Sequence, residues 1–357
     1  MRVLFAVHDW GLGHATRDLA LIRALVAAGH DVTIISAGRA MRLLNQELDG
    51  RCNYIERGDI PKPLSRHPFW FYLRMSLAMP AVMRIWRRDH RYVADLCRER
   101  HFDRIISDTR YGICLPEVPS YYIVHSLRQI IPGRPYLLEK FVEYSQTRLL
   151  AGARKILVPD FETAGLAGDL CHDTACRWGD DWLAYIGILS SVAHDPVEED
   201  IDCFISVSGA EPQRSIFEEI VLAQIGELAG RRIVVALGRA DEAQRVWEDG
   251  KVTVWSYMNR SRQQEMMNRA RLVVTRSGYT TLMELAELGK RALLIPTVGQ
   301  SEQEYLGDYH ERLGHWHTVR QSKLRLGRDV PAALEYPGLG RTPRTSDTVG
   351  RFLELVA

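Results

Sequence analysis

Short apolar runs alternate with amphipathic stretches along this chain, and the alternation occurs twice. Val3–Val7 reads as a buried strand, and Ala15–Ala28 carries Leu19, Ile22, Leu25 and Val26 at helical spacing. Gly29 stops that helix before the next strand, Val32–Ile35. Arg104–Asp108, Tyr121–His125 and Lys155–Pro159 read as further buried strands, each closing on a polar residue or a turn. After Tyr185-Ile186-Gly187 an acidic, proline-containing stretch, His194–Asp202, predicts an interdomain linker. The pattern then restarts with Cys203–Gly209, Arg232–Gly238, Val252–Tyr257, Leu272–Thr275 and Ala292–Pro296. Such alternation calls for parallel sheets with helices on both faces. The predicted fold class is therefore α/β, with two Rossmann-like domains facing across a cleft. The expected boundaries are 1–193, a linker at 194–202, and 203–357, with the last helix able to pack back on the first domain. Ligands are expected at the carboxyl ends of the strands, in the cleft.

Composition narrows the class. The 357 residues are 46% hydrophobic and 25% charged, as in an ordinary globular protein, and suffice for two cores. A formal net charge of +1 gives no global attraction to nucleic acid. Val3–Val7 is too short for the apolar part of a signal peptide, and no run approaches a membrane span. Six scattered cysteines in a long chain predict free thiols and a cytoplasmic location. Cys171, His172 and Cys176 match no common zinc spacing, so no metal site is expected.

The chemistry concentrates in Arg276–Glu304. There a strand runs through Arg276 into Ser277-Gly278, followed by Thr280, Thr281 and a helix carrying Glu284. Amides and hydroxyls at a helix start hold a pyrophosphate, and a carboxylate two turns later accepts from a ribose diol. Gln300, Gln303 and Glu304, after the next strand, are placed to reach sugar hydroxyls. Upstream, Gly11-Leu12-Gly13-His14 opens the first helix. The dinucleotide fingerprint is absent, because Thr16 stands three residues after Gly13, and no cofactor is expected. His14 at a helix start is a candidate general base, with capping or packing as the alternative. Asp108 and His125 end two strands and offer a carboxylate and a second imidazole; an ion-paired cap and a backbone-bonded histidine are the alternatives.

In the second half, Gly209 allows close approach of a ligand and Arg214 is a candidate phosphate partner, against a surface loop as the alternative. Tyr257 and Met258 end a strand where a flat base could stack or meet backbone groups; core packing explains Tyr257 equally. The segment 61–104 is aromatic (Phe69-Trp70-Phe71-Tyr72) and carries ten Lys/Arg against four Asp/Glu. It predicts either peripheral contact with a membrane and a lipid-linked acceptor, or a helix packed on the domain with its basic face in water.

RSGYTTLMELAELGKRALLIPTVGQSEQEY resembles the donor-site signature of the two-domain GT-B nucleotide-sugar glycosyltransferases. It is most similar to the branch that includes the peptidoglycan lipid-intermediate N-acetylglucosaminyltransferase. GLGHATR resembles that branch's N-terminal glycine loop, while SDTRYG, VPDFE, GDL and ISVSGAEPQRSIFEE resemble a less characterised bacterial and archaeal subfamily. The resemblance implies that Ser277, Gly278, Thr280 and Thr281 hold the diphosphate and Glu284 the ribose hydroxyls. It puts Met258 at the base, Gln303 and Glu304 at the donor hexose, and His14 near the reacting centre. The chain departs from the branch in its shorter glycine loop, in Gln303-Glu304 for paired glutamines, and near Gly307-Asp308.

The expected activity is transfer of a hexose or N-acetylhexosamine from a UDP-type donor to a hydroxyl acceptor, inverting and metal-independent. The acceptor is a lipid-linked group or a small glycoside. The base is His14, or His125 oriented by Asp108. A nucleotide-sugar hydrolase or epimerase, or a non-catalytic binder, would share the donor site.

Overall fold

The computed structural model describes residues 1–10, 12–60, 68–176, 178, 181–239, 243–340 and 344–357. Gly11 lies outside the described residues, as do the side chains of the aromatic run 69–72. The chain divides into two compact units, Met1–Ser191 with Pro343–Ala357, and Val192–Thr342.

The first unit holds β1 (Arg2–Val7), α1 (Leu12–Ala27), β2 (Asp31–Ser36), α2 (Gly38–Leu48), β3 (Asn53–Glu56) and α3 (Pro68–Glu99). Then come β4 (Arg104–Asp108), β5 (Ser120–Ile123), α4 (Tyr136–Leu150), β6 (Lys155–Val158) and β7 (Leu183–Tyr185). Its strands order as β3-β2-β1-β4-β5-β6-β7, every neighbouring pair parallel. Five of the six β1 residues are buried, because helices cover both faces of a parallel sheet. Val93 and Leu96 of α3 pack with Leu4, Ala6 and Ile105 of the strands. Gly112 permits α3 to come close: a Cβ there would sit 2.7 Å from the Trp86 carbonyl oxygen.

The second unit holds β8 (Cys203–Ser206), α5 (Gln213–Gln224), β9 (Ile233–Ala236), β10 (Val246–Asp249), β11 (Val252–Trp255) and α6 (Arg260–Arg269). It continues with β12 (Leu272–Thr275), α7 (Tyr279–Leu288), β13 (Arg291–Leu294), α8 (Ser301–Arg312), β14 (His317–Thr318) and α9 (Leu326–Ala333). The order is β10-β11-β9-β8-β12-β13-β14, parallel apart from β10. Ile205, Phe217, Val235, Val274 and Leu293 are at the centre of its core.

The last helix, α10 (Thr345–Val356), belongs to the first unit. Arg104 donates to the carbonyls of Val356 and Ala357 at 2.9 and 2.7 Å, and the Thr345 hydroxyl accepts from the Ser190 amide. Phe352 is fully buried. The acidic segment before β8 is bound to the second unit: Asp195 N–H donates to Asn268, Asp200 pairs with Arg269 and Arg232, and Glu199 pairs with Lys290.

In both sheets the chain starts centrally, moves to one edge, and returns to continue on the other side. The reversal falls between β1 and β4 in the first sheet and between β8 and β12 in the second. In open α/β sheets the crevice for ligands lies outside the carboxyl ends of the strands at that reversal.

Candidate functional site

At the first reversal, β1 ends at Val7 directly beside Asp108, the last residue of β4. Helix α1 starts from the loop after β1 and brings His14 to the same point. His14 Nδ1 lies 2.8 Å from Asp108 Oδ2, with Asp108 fully buried. Arg17, one turn further along α1, is 1% exposed; its Nε donates to Asp108 Oδ2 at 3.0 Å and an Nη2 donates to Oδ1. The same guanidinium stands 3.0 Å from His14 Nδ1 and 3.1 Å from His125 Nδ1. The ring centroids of His14 and His125 are 5.9 Å apart. The structure therefore brings His14, Asp108 and His125 together, with Asp108 bonded to His14 and Arg17 between the two imidazoles. His8, whose ring is 5.0 Å from that of His14, is anchored by Asp59 Oδ2 at 2.6 Å.

Burial is the largest influence on these groups. It lowers His14 from 6.5 to about 4, helped by the Arg17 charge and opposed by Asp108. The Asp108 carboxylate is held far below its ordinary range because Arg17 and His14 outweigh the cost of burying it. Asp18, next along α1, is fully buried with Arg17 Nε 3.9 Å from its Oδ1. Burial first, and the Asp108 charge second, push the Asp18 carboxyl well above 3.8. One carboxyl of this pair is thus built to be charged and the other to keep its proton. Arg17 and Asp18 were not singled out from the sequence, although Arg17 follows His14 by three residues, the spacing that places two side chains on one helix face.

At the second reversal, β8 leads into Gly209, whose φ of +122° suits glycine alone. A Cβ on Gly209 would stand 4.0 Å from Thr297 Oγ1, and one on Gly278 3.7 Å from Gln303 Nε2. Gly209, Gly278, Thr297 and Gln303 thus line the carboxyl ends of β8, β12 and β13. The Thr297 hydroxyl is buried without a hydrogen-bond partner among the described residues. Gln303 is fixed by the Thr297 amide at 2.9 Å and by Gln300 Oε1 at 2.8 Å, and Glu304 Oε1 accepts from the Gly299 amide at 3.1 Å. The first intrahelical bond of α7 runs from Leu282 N–H to Gly278 O, so the Thr280 and Thr281 amides precede the ladder at the helix start.

Several expected ligand contacts take other roles in the structure. Ser277 is fully buried and its hydroxyl donates to the Gln303 carbonyl at 2.7 Å. Arg214 spends its donors on Glu211, Glu218, Ser215 and the Leu237 carbonyl, an ion-pair hub rather than a waiting phosphate partner. Met258 is 1% exposed, so any base contact there falls to its backbone. Tyr257 is half-buried. Glu284 is 5% exposed and paired with Arg260, the first residue of α6. Arg276 is also buried, but its partners are carbonyls: Ser208, Gln213 and Ile295 at 3.3, 2.9 and 3.2 Å, with Phe217 under the guanidinium. Burial pulls it down to about 10, which leaves it charged at neutral pH. It ties together the loops that follow β8 and β13 and places a cation behind them.

No compact Asp-x-Asp pair of the kind metal-dependent sugar transferases use is expected from the sequence, yet Asp200-Ile201-Asp202 has that spacing. It sits at the amino ends of the strands, and its carboxylates bond Arg269, Arg232 and Arg271. The Arg269 hydrogen bond takes Asp200 down to about 2. Among the described residues no group of His, Cys, Asp and Glu has a metal-binding arrangement, and no disulfide joins the six cysteines.

Residues 205–330 match the glycosyltransferase family 28 C-terminal domain, and residues 1–55 match glycosyl transferase family 1. The structure superposes on the glycotransferase of kitacinnamycin with a TM-score of 0.64 at 14% identity, covering 99% of this chain and 94% of that one. The fold is that of the GT-B glycosyltransferases. Acinetobacter baumannii MurG has the same GT-B fold, with a TM-score of 0.57 at 12% identity over 100% of this chain and 99% of that one. A curated relative is the UDP-N-acetylglucosamine–N-acetylmuramyl-(pentapeptide) pyrophosphoryl-undecaprenol N-acetylglucosamine transferase of Desulfotalea psychrophila. It is 28% identical over 136 residues, which are 36% of this chain and 37% of that protein.

Proposed function

We propose that this GT-B protein transfers a sugar from a UDP-type nucleotide donor to a hydroxyl of a lipid-linked acceptor at the cytoplasmic face of a membrane. The observation that carries the proposal is the cradle of Gly209, Gly278, Thr297 and Gln303 at the reversal of a sheet matched by the family 28 C-terminal domain. The donor's diphosphate is assigned to the amides of Thr280 and Thr281 at the start of α7, where a helix terminus favours anions. Glu284 is assigned to the ribose hydroxyls, for which it would exchange Arg260. Gln300, Gln303 and Glu304 are assigned to the hexose. The acceptor class follows the D. psychrophila relative, whose printed name specifies a pyrophosphoryl-undecaprenol lipid.

His14 is proposed as the base. With the Nδ1 proton facing Asp108, Nε2 carries the lone pair that takes the acceptor's hydroxyl proton. The acceptor oxygen bonds the anomeric carbon as the carbon–oxygen bond to the diphosphate breaks from the opposite face, so the configuration inverts. The electron pair departs with the nucleoside diphosphate. Its growing charge is met by the α7 amides and the buried Arg276 cation, and the proposal assigns no step to a metal. As proton transfer proceeds, the Asp108 carboxylate stabilises the imidazolium.

A nucleotide panel tests the donor assignment. UDP and UDP-sugars should raise the melting temperature, by about 2.7 kcal/mol of stabilisation at a hundredfold excess over the dissociation constant, whereas NAD and ATP should not. Absence of a shift with every uridine nucleotide contradicts the proposal.

A further inference from the structure

Helix α4 is amphipathic with its faces exchanged. Three of the four side chains it buries are polar: Glu143 is 0% exposed, Glu139 2% and Gln146 5%, with Leu150 the fourth. Glu143 accepts from Arg128 and from the amides of Ala175 and Cys176, Glu139 accepts from Arg134 and the Ile131 amide, and Gln146 donates to the Ser126 carbonyl. The side chains it turns outward are apolar or aromatic. Leu137 is 80% exposed and Phe141 66%, with Tyr136, Leu138 and Tyr144 around them. Water does not favour such a face, and scattered exposed leucines do not form one.

Charge decides what covers it. Of the four charged residues of α4, both carboxylates point inward, and the two that remain exposed, Lys140 and Arg148, are basic. Arg148 lies along Tyr144 and donates to its hydroxyl at 2.6 Å, an aromatic and a cation held together at the rim of the apolar stripe. α3 reaches the same face of the sheet by the right-handed crossover and presents Arg84, Arg87 and Arg88 exposed. Size argues against a second copy of the chain. Fifteen helical residues span about 22 Å, so a stripe about 10 Å wide covers on the order of 200 Å², against about 800 Å² per partner in a stable dimer. An apolar stripe with tyrosines, flanked on its own helix by the exposed Lys140 and Arg148, has the composition of a helix lying in the interface of an anionic bilayer.

We infer that the outward face of α4 docks the protein on an anionic lipid surface, with Leu137 and Phe141 entering the acyl boundary and Lys140 and Arg148 at the headgroups. The inference stands on α4 alone and needs no transferase activity.

Co-sedimentation of the full chain with phosphatidylcholine vesicles, with and without phosphatidylglycerol, tests it. The wild type should pellet with the phosphatidylglycerol vesicles. Leu137→Glu/Phe141→Glu should lower that partitioning at least roughly tenfold. Lys140→Glu/Arg148→Glu should remove the preference for phosphatidylglycerol and its salt sensitivity. The altered side chains are exposed, so both variants should keep the wild-type melting temperature and nucleotide response. A wild type that ignores both vesicles overturns the inference, as does a Leu137→Glu/Phe141→Glu variant that binds undiminished. So does a dimer in sedimentation velocity that this variant dissolves, since a second copy would then own the face.

Discussion

His14 is the proposed base, and its surroundings set a measurable signature. Because burial lowers it to about 4, the ring stays neutral through the range where a free imidazole, at 6.5, takes up a proton. The acidic limb of kcat/KM should therefore fall near pH 4, and a limb near 6.5 would show that another group is the base. His14→Ala should cut kcat by about 10² to 10⁴ while leaving the UDP-induced melting shift intact. Asp18 gives a stability prediction with the opposite dependence. Its folded carboxyl keeps a proton that the unfolded chain releases above 3.8, so it lowers stability increasingly as pH rises through and beyond that value. Asp18→Asn removes that penalty and should raise the melting temperature more at pH 8 than at pH 5. An equal change at both pH values would mean that Asp18 is ionised in the fold. Asp108 was readable as a candidate because it closes an apolar strand, and His14 because it follows a glycine turn at a helix start. Arg17 was not, because an arginine within a helix reads as solvated until the fold buries it. Arg214 pairs with Glu211, three residues before it, and with Glu218, four residues after it on the same helix, partners close in sequence that its reading as a phosphate contact left out.

Among the elements, long apolar strands were the readable ones. β1, β6, β8 and β12 bury nearly every residue and carry uninterrupted apolar runs. β10, all four residues exposed, and the two-residue β14 carry no such signal, since edge pairing comes from backbone bonds alone. α4 was invisible for the reverse reason: its apolar positions mimic a core face, and only the fold shows that the core takes the glutamates. α10 depends on contacts distant in sequence, with Arg104 holding its last carbonyls. α10 packs against α1, the helix that carries His14 and Arg17, and its Phe352 is fully buried. Phe352→Ala should cost about 3–5 kcal/mol by thermal or urea unfolding. A loss under about 1 kcal/mol would mean that α10 is not integral to the first unit.

For the molecule as a whole, each unit has its own sheet and its own strand reversal, and the proposal divides the work accordingly. We assign the donor to the second unit and the base to the first. Lesions in the first unit should spare nucleotide binding, and lesions at Gly278 or Glu284 should remove it. Glu284 is buried against Arg260 and must exchange that partner for a ribose. A crystal soaked with a UDP-sugar tests it directly. The account predicts phosphate oxygens within hydrogen-bond reach of the Thr280 and Thr281 amides, with the ribose hydroxyls on Glu284. A nucleotide bound elsewhere, or an Arg260–Glu284 pair left undisturbed with the ribose remote from it, would contradict the account.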